Sequence, residues 1–490
     1  MSTRIHRIVL CALLCVALPG AARAQWSTDT LSEDRHSLAL VTSGGKSFFV
    51  GGRDGPNPSD RVDIYDEATD SWSTAALTVA RSHMAAAAVG PYVLFTGGLG
   101  ATASDLVDIY DSGLGGPEDP GAWSTTTLSS ARFLAAATTV GNKALFGGGY
   151  GGDLSAPVAS DVVDIYDADL GAPGDPGTWS TATLSVPRGR LAAATAGDHA
   201  LFAGGRNDAP FGSWVVYDTV DIYDDSTGLW STTVLTQARA QIGATSTGAR
   251  AYFAGGDSAD GLSLVYDTVD VYEPATGMGA PLALSVPRMG VGATAVDNTV
   301  LFAGGHAMLG SGVTVVDVLD DATGAWGPTA SLSADKGGMA ATTVGDTALF
   351  ASGVGSSGAT SLVEVYESPW TDLGGGTVGV AGQPTLTGFG SLEGGTVASV
   401  FLADAPPSAA MLAWISFAPV PFSALGGTVH AFPFTNQIGL VSSGAGSFGA
   451  GTTWPAGLPT GTQVWFQFIV ADASSPHGLT LSNGLRATSP

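Results

Sequence analysis

The residues of this sequence that could bind a ligand lie mostly in segments that directly follow pairs of adjacent glycines. The three longest segments cover residues 150–161, 206–218 and 257–267, and each mixes acidic side chains with aromatic ones. Rings supply flat apolar contact and charged groups supply hydrogen bonds, so these segments suit a sugar ring or a protein loop. The alternative is that the aromatic residues only cap lengthened hairpins. The candidate ligand-binding residues are Arg53, Asp54, Tyr150, Asp153, Arg206, Asp208, Phe211, Trp214, Asp257, Asp260 and His306.

Groupings of residues typical of catalysis or metal binding are missing from the sequence. The histidines after residue 24 are scattered, and none belongs to an HExxH or similarly close set. Segment 44–47 (GGKS) ends like a phosphate-binding loop, but Leu40 stands where the opening glycine belongs and no helix is predicted to follow. We therefore expect no catalytic residue, no metal site and no cofactor, and we interpret the chain as a non-enzyme.

Two acidic turns leave an alternative open. Segments 119–123 (DPGAW) and 175–179 (DPGTW) resemble the aspartate box of sialidase blades, but each is one residue short. Both lie in matching insertions, which we interpret as a locally duplicated turn. A calcium-binding turn that uses Glu118, Asp119, Asp169 and Asp175 is the alternative.

A repeat organises most of the chain, because a basic residue is followed sixteen positions later by a glycine pair in seven successive copies. The constant offset, in units of 46–56 residues, indicates a propeller or a repeat array. We expect the repeated basic residues to pair with acceptors on strands or loops. They are Arg35, Arg81, Arg132, Arg188, Arg239, Arg288 and Lys336. The glycine sites are 51–52, 97–98, 148–149, 204–205, 255–256, 304–305 and, with a serine first, 352–353.

Each unit predicts four strands. The first has very small side chains, as in 85–88 (AAAA), which fit a crowded position near a central axis. The second is apolar and aromatic, as in 93–95 (VLF), and the third reads VDIYD or a close variant. The fourth strand begins at a tryptophan, with Gly279 in that place in the fifth unit. The tryptophans are Trp72, Trp123, Trp179, Trp230, Trp326 and Trp370.

This order of landmarks resembles the kelch repeat over residues 26–373. The resemblance implies an all-β fold, namely a seven-bladed kelch-type β-propeller whose four-stranded blades stack into a closed ring. A related propeller of the galactose-oxidase type carries a copper-radical site that needs a cysteine. Cys11 and Cys15 both lie in the predicted leader, so the resemblance implies a propeller without that copper site.

An additional copy of the fourth-strand pattern precedes the first complete unit. Segment 26–28 (WST) lies nine residues before Arg35, in register with the other copies. We predict that this strand completes the last blade, because the copy at Trp370 runs directly into glycines 374–376. The alternative is a frayed leader.

The two ends of the chain differ from the repeats. Residues 1–24 combine arginines, an apolar run and ARA before residue 25, which predicts a secretory signal cleaved after Ala24. We expect residues 25–373 to form the propeller, 374–384 a glycine-rich linker, and 385–490 a small, nearly uncharged antiparallel β-sandwich. The last segment resembles uncharacterised C-terminal modules of secreted bacterial proteins, which supports export and adds no activity.

Charge limits the classes of partner. The net charge of −25 disfavours nucleic acid and anionic membranes as partners. The uncharged segment 409–425 contains Pro419 and Pro421, so we predict no membrane insertion there. We expect a monomer.

These observations favour a secreted, acidic binding or scaffold module that engages a protein or a glycan through one loop face. Two alternatives remain open. The first is a metal-independent carbohydrate-active enzyme of the epimerase or lyase type. The second is a purely structural surface protein in which the propeller spaces out the C-terminal module.

Overall fold

The computed structural model describes residues 26–175, 177–208, 214–258, 264–308, 311–322, 324–418 and 420–489. Two compact units divide the chain: Thr28–Val365 is one, and Tyr366–Pro490 together with Met1–Ser27 is the other. The predicted leader, with Cys11 and Cys15, lies outside the described residues.

Seven antiparallel sheets with one strand order are seen in the described part of the larger unit. In each sheet the first strand pairs with the second, the second with the third, and the third with the fourth. Sheet 1 contains Ala39–Ser43, Lys46–Val50, Arg61–Asp66 and Ser71–Ala76. Sheet 2 contains Ala85–Val89, Tyr92–Thr96, Leu106–Asp111 and Trp123–Thr127. Sheet 3 contains Ala136–Val140, Lys143–Gly147, Val162–Asp167 and Trp179–Thr183. Sheet 4 contains Ala192–Ala196, His199–Ala203, Thr219–Asp224 and Leu229–Val234.

The fourth strand is split in sheets 5 and 6, and in sheet 7 it comes from a segment that precedes sheet 1 in the sequence. Sheet 5 contains Gly243–Ser246, Ala251–Ala254, Thr268–Glu273 and a split fourth strand, Gly277–Met278 and Leu282–Ala283. Sheet 6 contains Gly292–Val296, Thr299–Ala303, Val315–Asp320 and a split fourth strand, Ala325–Trp326 and Ala330–Ser331. Sheet 7 contains Ala340–Val344, Thr347–Ala351, Gly358–Glu367 and, from the start of the chain, Trp26–Arg35.

The first strands of the seven sheets contact one another in a closed cycle, so Ala39–Ser43 touches both Ala85–Val89 and Ala340–Val344. Their small side chains permit this convergence, as predicted for a crowded axis. Short two-stranded hairpins follow several of the glycine pairs: Arg53–Asp54 with Asn57–Pro58, Tyr150–Gly151 with Val158–Ala159, Arg206–Asn207 with Val215–Val216, and His306–Met308 with Ser311–Gly312. The strand Val354–Gly355, which pairs with the start of Gly358–Glu367, and two short 3-10 helices, Pro120–Ala122 and Ala168–Leu170, complete the described elements of the unit. The predicted all-β class is confirmed.

The N-terminal strand closes the cycle, as the sequence predicted. Leu31 is buried in one core cluster with Leu349 and Val363 of sheet 7. The Ser361 backbone N–H donates to Asp34 Oδ1 at 2.7 Å. Joining the first and last segments of the unit in one sheet removes an unpaired edge and couples the two ends during unfolding.

The basic residue of each repeat is a buried anchor. Arg239, for example, donates to the carbonyl oxygens of Phe253 (2.9 Å), Gly255 (2.6 Å) and Thr268 (2.6 Å), and it pairs with Asp270. Asp270 Oδ1 also accepts the Thr236 backbone N–H at 3.1 Å. A buried guanidinium needs a partner for its charge and for most of its donors, which accounts for the fixed spacing, although the Nε of Arg239 has no partner among the described residues. The other pairs are Arg35–Asp63, Arg81–Asp108, Arg132–Asp164, Arg188–Asp221, Arg288–Asp317 and Lys336–Glu364.

The tryptophan position differs from the sequence assignment in two units. In sheet 5, Met278 and not Gly279 lies opposite Tyr272, as Trp230 lies opposite Tyr223 in sheet 4. The broken fourth strand shifts the register by one residue, which spacing from the next arginine could not reveal. In the smaller unit, Trp26 packs against Tyr366 with ring centroids 5.1 Å apart, so Trp26 takes the place assigned to Trp370.

The smaller unit has two main sheets around one core. One sheet contains Trp370–Asp372, Ala410–Ser416, Asn436–Val441, Gln463–Ala471, Leu479–Leu481 and Leu485–Thr488. The other contains Thr385–Phe389, Val397–Ala403 and Phe448–Thr453, and a separate hairpin joins Phe422–Ala424 to Gly427–Val429. Leu402 from one sheet and Phe468 from the other lie in the same buried cluster, which is a sandwich arrangement.

The boundary between the units lies earlier than the expected position after residue 373. Trp370 pairs with Ala487, so its strand belongs to the sandwich. Segment 374–384, expected to be a linker, is also bound there: Thr377 N–H donates to Leu481 O at 2.9 Å and Val380 N–H to Asp472 Oδ2 at 2.8 Å. No helix in the described ranges is long and apolar enough to cross a membrane.

Candidate functional site

One backbone position recurs in every repeat in a left-handed conformation, two residues after the basic anchor. Its φ angles are 52–56° at the five non-glycine residues and 62° and 65° at the two glycines. Side chains with a Cβ rarely adopt this conformation, so its repetition shows that the fold imposes it. The seven residues are Ser37, His83, Leu134, Arg190, Gln241, Gly290 and Gly338.

These seven residues are joined from sheet to sheet by backbone hydrogen bonds. His83 N–H donates to Ser37 O at 2.9 Å, and Leu134 N–H donates to His83 O at 3.0 Å. Arg190, Gln241, Gly290 and Gly338 continue the chain in the same direction, over 2.8–3.3 Å. We call this set of seven residues the mouth, because it brings one residue from each repeat to a common opening beside the cycle of first strands.

The residues that follow the glycine pairs lie beside the mouth. The first residue after each glycine pair forms an isolated antiparallel bridge with the residue that directly follows a basic anchor. That bridging residue immediately precedes a mouth residue in the sequence. Five predicted site residues share this position in different repeats, so the structure brings them to one face. The bridges are His36 with Arg53, Phe133 with Tyr150, Gly189 with Arg206, Ala240 with Asp257, and Met289 with His306.

A chain of ion pairs occupies one side of this face. Asp208 Oδ2 lies 3.1 Å from Arg190 Nε, and Asp208 Oδ1 lies 2.5 Å from Arg206 Nε. Arg206 continues to Asp257, with Nη1 3.4 Å from Oδ2. The Arg206 guanidinium also lies over the Trp214 ring, 4.8 Å from its centroid, and 38 % of Trp214 is exposed. A flat ring at the surface beside alternating charges can stack against a ligand and hydrogen-bond to it.

Asp257 is the most unusual member of this chain. The residue is fully buried, and its Oδ2 accepts from Gln241 Nε2 at 3.0 Å. Its Oδ1 has no hydrogen-bond partner among the described residues. Burial raises the pKa of Asp257 because it disfavours the charged form, and nearby Arg206 opposes that rise. The site therefore holds a carboxyl oxygen that can accept or share a proton.

Tyr150 has a supporting position and not the ligand-facing one expected from the sequence. The ring is fully buried against Phe133, with centroids 5.8 Å apart. Its hydroxyl donates to the Arg206 carbonyl oxygen at 2.8 Å, which holds the start of the neighbouring hairpin. Burial raises the pKa of Tyr150, so the hydroxyl stays protonated.

Three histidines on this face, His36, His83 and His306, are shifted toward the neutral form. Burial, followed by the charges of Arg190 and Arg53, lowers the pKa of His83 to about 3. Burial also lowers the pKa of His306, whose Nδ1 has no partner in the described part of the chain. His83, Arg190 and Gln241 were not among the predicted site residues. Their common signal is their position two residues after an anchor.

A second part of the face surrounds Arg53. A pocket of ≈ 250 Å³ is lined by Arg53, Pro58, Leu99, Asp153 and Leu154, so two predicted residues from different repeats share one concavity. Arg53 Nε donates to Gly55 O at 2.7 Å. Asp153 accepts from the Ser155 hydroxyl and backbone, which lowers the pKa of this exposed carboxyl.

The remaining predicted residues make no further contribution to the described site. Asp54 is exposed at the tip of its hairpin. Phe211 and Asp260 lie outside the described residues.

The acidic turns have local roles in the structure. Asp119 Oδ1 accepts the Gly121 N–H at 2.8 Å, and Asp175 Oδ2 accepts the Ala172 N–H at 2.9 Å. Within the described ranges, no group of three or more His, Cys, Asp or Glu residues is placed to hold a metal ion.

Comparison with known proteins agrees with the repeat. Residues 34–76 match the family described as Kelch motif, and this range runs from the Arg35 anchor to the end of sheet 1. The kelch resemblance is thereby confirmed for this unit. A solved structure, "Structure of YjhT", is 16 % identical and covers 58 % of this chain and 94 % of its own, with a TM-score of 0.45. No curated protein matches the chain.

Proposed function

We propose that this protein is an exported binding or scaffold module whose ligand, a protein or a glycan, docks at the mouth and at the hairpins beside it. The observation that carries the proposal is the ion-pair chain from Arg190 through Asp208 and Arg206 to Asp257, with Trp214 stacked at its surface. Loops held by a rigid scaffold are the usual location of binding residues.

The rigidity of this face supports binding with little reorganisation. The mouth residues are hydrogen-bonded to one another through the backbone, and Tyr150 holds the Arg206 segment from beneath. A ligand at Trp214 and Arg206 would meet side chains whose geometry is already set, which lowers the entropic cost of association. Export follows from the predicted leader and is part of the same proposal.

One observation favours a second candidate, a carbohydrate-active enzyme without a metal. Burial raises the pKa of Asp257 despite the charge of nearby Arg206, and carboxyls with a raised pKa are common among groups that transfer protons. Such an enzyme would release an altered sugar, whereas a binding module would retain its ligand unchanged.

The test is to incubate the purified full chain with a glycan panel and a panel of extracellular proteins, measuring both retention and product. We expect retention without product. Trp214→Ala and Arg206→Ala should each weaken retention at least about tenfold, because the first removes the exposed ring and the second removes the buried guanidinium beneath it. Leu229→Ala, which trims an exposed side chain on the fourth strand of sheet 4, is the matched control and should leave retention unchanged. New sugar products that Asp257→Asn abolishes would instead establish the enzyme.

A further inference from the structure

The interface between sheets 5 and 6 departs from a pattern that other interfaces share. In three earlier interfaces, the third strand of the following sheet supplies a tyrosine to a cluster with an isoleucine of the preceding sheet. A tryptophan from the following sheet packs against each cluster. The tyrosine and isoleucine pairs are Tyr110 with Ile64, Tyr166 with Ile109, and Tyr223 with Ile165.

Between sheets 5 and 6 the tyrosine comes from the opposite side. Leu319 holds the third-strand position, and Tyr252 comes from the second strand of sheet 5, where sheet 4 has Leu201. The Tyr252 hydroxyl donates to Asp321 Oδ1, and its ring meets Phe302 edge-on at 6.3 Å. Leu319 is smaller than the tyrosine at this position in the earlier interfaces, and the Tyr252 ring from the facing sheet lines the same space.

Two further positions at this interface are also smaller than their counterparts. Val271 replaces isoleucine and is only partly buried. In sheet 4, Ser231 lies opposite Ile222, whereas in sheet 5 Gly279 N–H donates to Val271 O at 2.9 Å. A Cβ added at Gly279 would come near only Val271 O, at 3.7 Å, so this wall is open.

The result is a groove of ≈ 300 Å³, which we call the 5/6 groove. Its apolar walls are Tyr252, Val271, Leu282 and Leu319, and its rim carries Arg250 and Glu273. Aromatic rings are the side chains that bury the most apolar surface in such narrow sites. In the three earlier interfaces, a tyrosine ring stands at the position that Leu319 holds here.

The rim of the 5/6 groove presents polar groups to an incoming ring. Arg250 Nη1 is held by Asp321 through its carbonyl oxygen at 2.7 Å and its Oδ1 at 3.0 Å. Arg250 Nη2 lies 3.9 Å from Glu273 Oε1, and these side chains are 34 % and 40 % exposed. Glu273 can accept a hydrogen bond from an indole N–H or a phenol, and the fixed guanidinium can contact a ring face.

We propose that the 5/6 groove binds an aromatic side chain of a partner polypeptide. The ring would occupy space that a tyrosine of the chain itself fills in the other interfaces. A polypeptide can approach here because the fourth strand of sheet 5 is interrupted between Gly277–Met278 and Leu282–Ala283 at the outer edge of the sheet. This site is separate from the mouth and does not depend on the function proposed for it.

The test is a titration of the full chain with N-acetyl-L-tryptophanamide, followed by saturation-transfer NMR. Gly279 lies outside the left-handed region, so Gly279→Phe can cover the groove from the edge strand without backbone strain. We expect this variant to weaken binding at least about tenfold, equivalent to about 1.4 kcal/mol. Ser231→Phe, at the matching exposed position of sheet 4, should bind like the unaltered protein.

A rim variant and a second ligand separate loss of binding from a folding defect. Glu273→Ala removes a partly exposed rim group with both of its acceptor oxygens, so it reports on the groove even where Gly279→Phe folds poorly, and we expect weaker binding. Absence of binding to the unaltered protein, or equal binding by Gly279→Phe or by Glu273→Ala, would overturn the proposal. Binding of free indole without binding of the amide would also overturn it, and would assign the groove to free aromatic molecules.

Discussion

Asp208 Oδ2 lies 3.1 Å from Arg190 Nε, so an ion pair links a left-handed residue of the mouth to the hairpin of the next glycine pair. The same carboxylate holds Arg206 through its other oxygen. Two cations that would otherwise repel each other are thereby fixed side by side, which makes Asp208 the positioning residue of the proposed binding face.

Replacing Asp208 with Asn should weaken ligand binding at the mouth while leaving the fold intact. The amide keeps the size of the side chain but removes the charge that holds Arg190 and Arg206 together. We expect a loss of about 1–3 kcal/mol in binding free energy, because both ion pairs are partly desolvated. Calorimetric titration with the ligand found on the panels measures the loss. Asp198→Asn, at the exposed turn between the first two strands of sheet 4, should bind normally.

Replacing the buried anchor Arg239 with Met should strongly destabilise the larger unit. The change leaves the Asp270 carboxylate buried without its cation, together with three carbonyl oxygens that lose their donor. We expect a loss of about 3–5 kcal/mol in the free energy of unfolding, measured by urea denaturation. Arg61→Met, at an exposed residue, is the control, and a similarly large loss there would contradict the account.

Deleting residues 26–34 should sharply lower the melting temperature. The deletion removes the fourth strand of sheet 7 and buried Leu31, and it exposes an edge of that sheet. Leu31→Ala alone should cost about 2–5 kcal/mol of unfolding free energy. Differential scanning calorimetry measures both, with Thr30→Ala, an exposed residue of the same strand, as the control. An unchanged melting temperature after the deletion would show that the strand is only a frayed leader.

Lys336 should give the protein an unusual dependence of stability on alkaline pH. Burial lowers the pKa of Lys336 to about 8, below its ordinary value of 10.5, although Glu364 opposes the shift. Between these values the unfolded chain binds the extra proton, so the free energy of unfolding should rise with pH by up to about 3 kcal/mol. Lys336→Arg, which restores the residue of the other six repeats, stays charged and should lack this rise. Urea titrations of both proteins at pH 7 and pH 10.5 give the change in the free energy of unfolding between the two pH values. An equal change for the unaltered protein and for Lys336→Arg would contradict the prediction.

The repeat made most of the larger unit predictable, because a buried guanidinium must meet carbonyls and a carboxylate at fixed positions. Arg188, for instance, reaches Phe202 O, Gly204 O and Asp221, so any change of spacing would break the contacts. The strand of sheet 7 that contains Leu31 was predictable for the same reason. The position of Trp370 was not predictable, because this residue pairs with Ala487 on a strand more than a hundred residues away.

The binding face was predictable only in outline. The sequence placed Arg53, Arg206 and Asp257 beside glycine pairs, and a common position after those pairs brings them to one face. It did not distinguish ligand-facing residues from supporting ones, so Tyr150 was misplaced. Arg190 and His83 were not predicted because they share only a position two residues after an anchor, and their side chains differ.

Binding at this face is measured most directly when the full chain and the Arg206→Ala, Trp214→Ala double variant are compared on one array of glycans and extracellular proteins. Because Arg206 is buried between Asp208 and Asp257, the double variant should melt at a lower temperature, and the array is run where both proteins are folded. We expect at least one ligand that the unaltered protein retains and the double variant loses. Ligands retained equally by both proteins, or no retained ligand at all, would contradict the assignment of binding to the mouth.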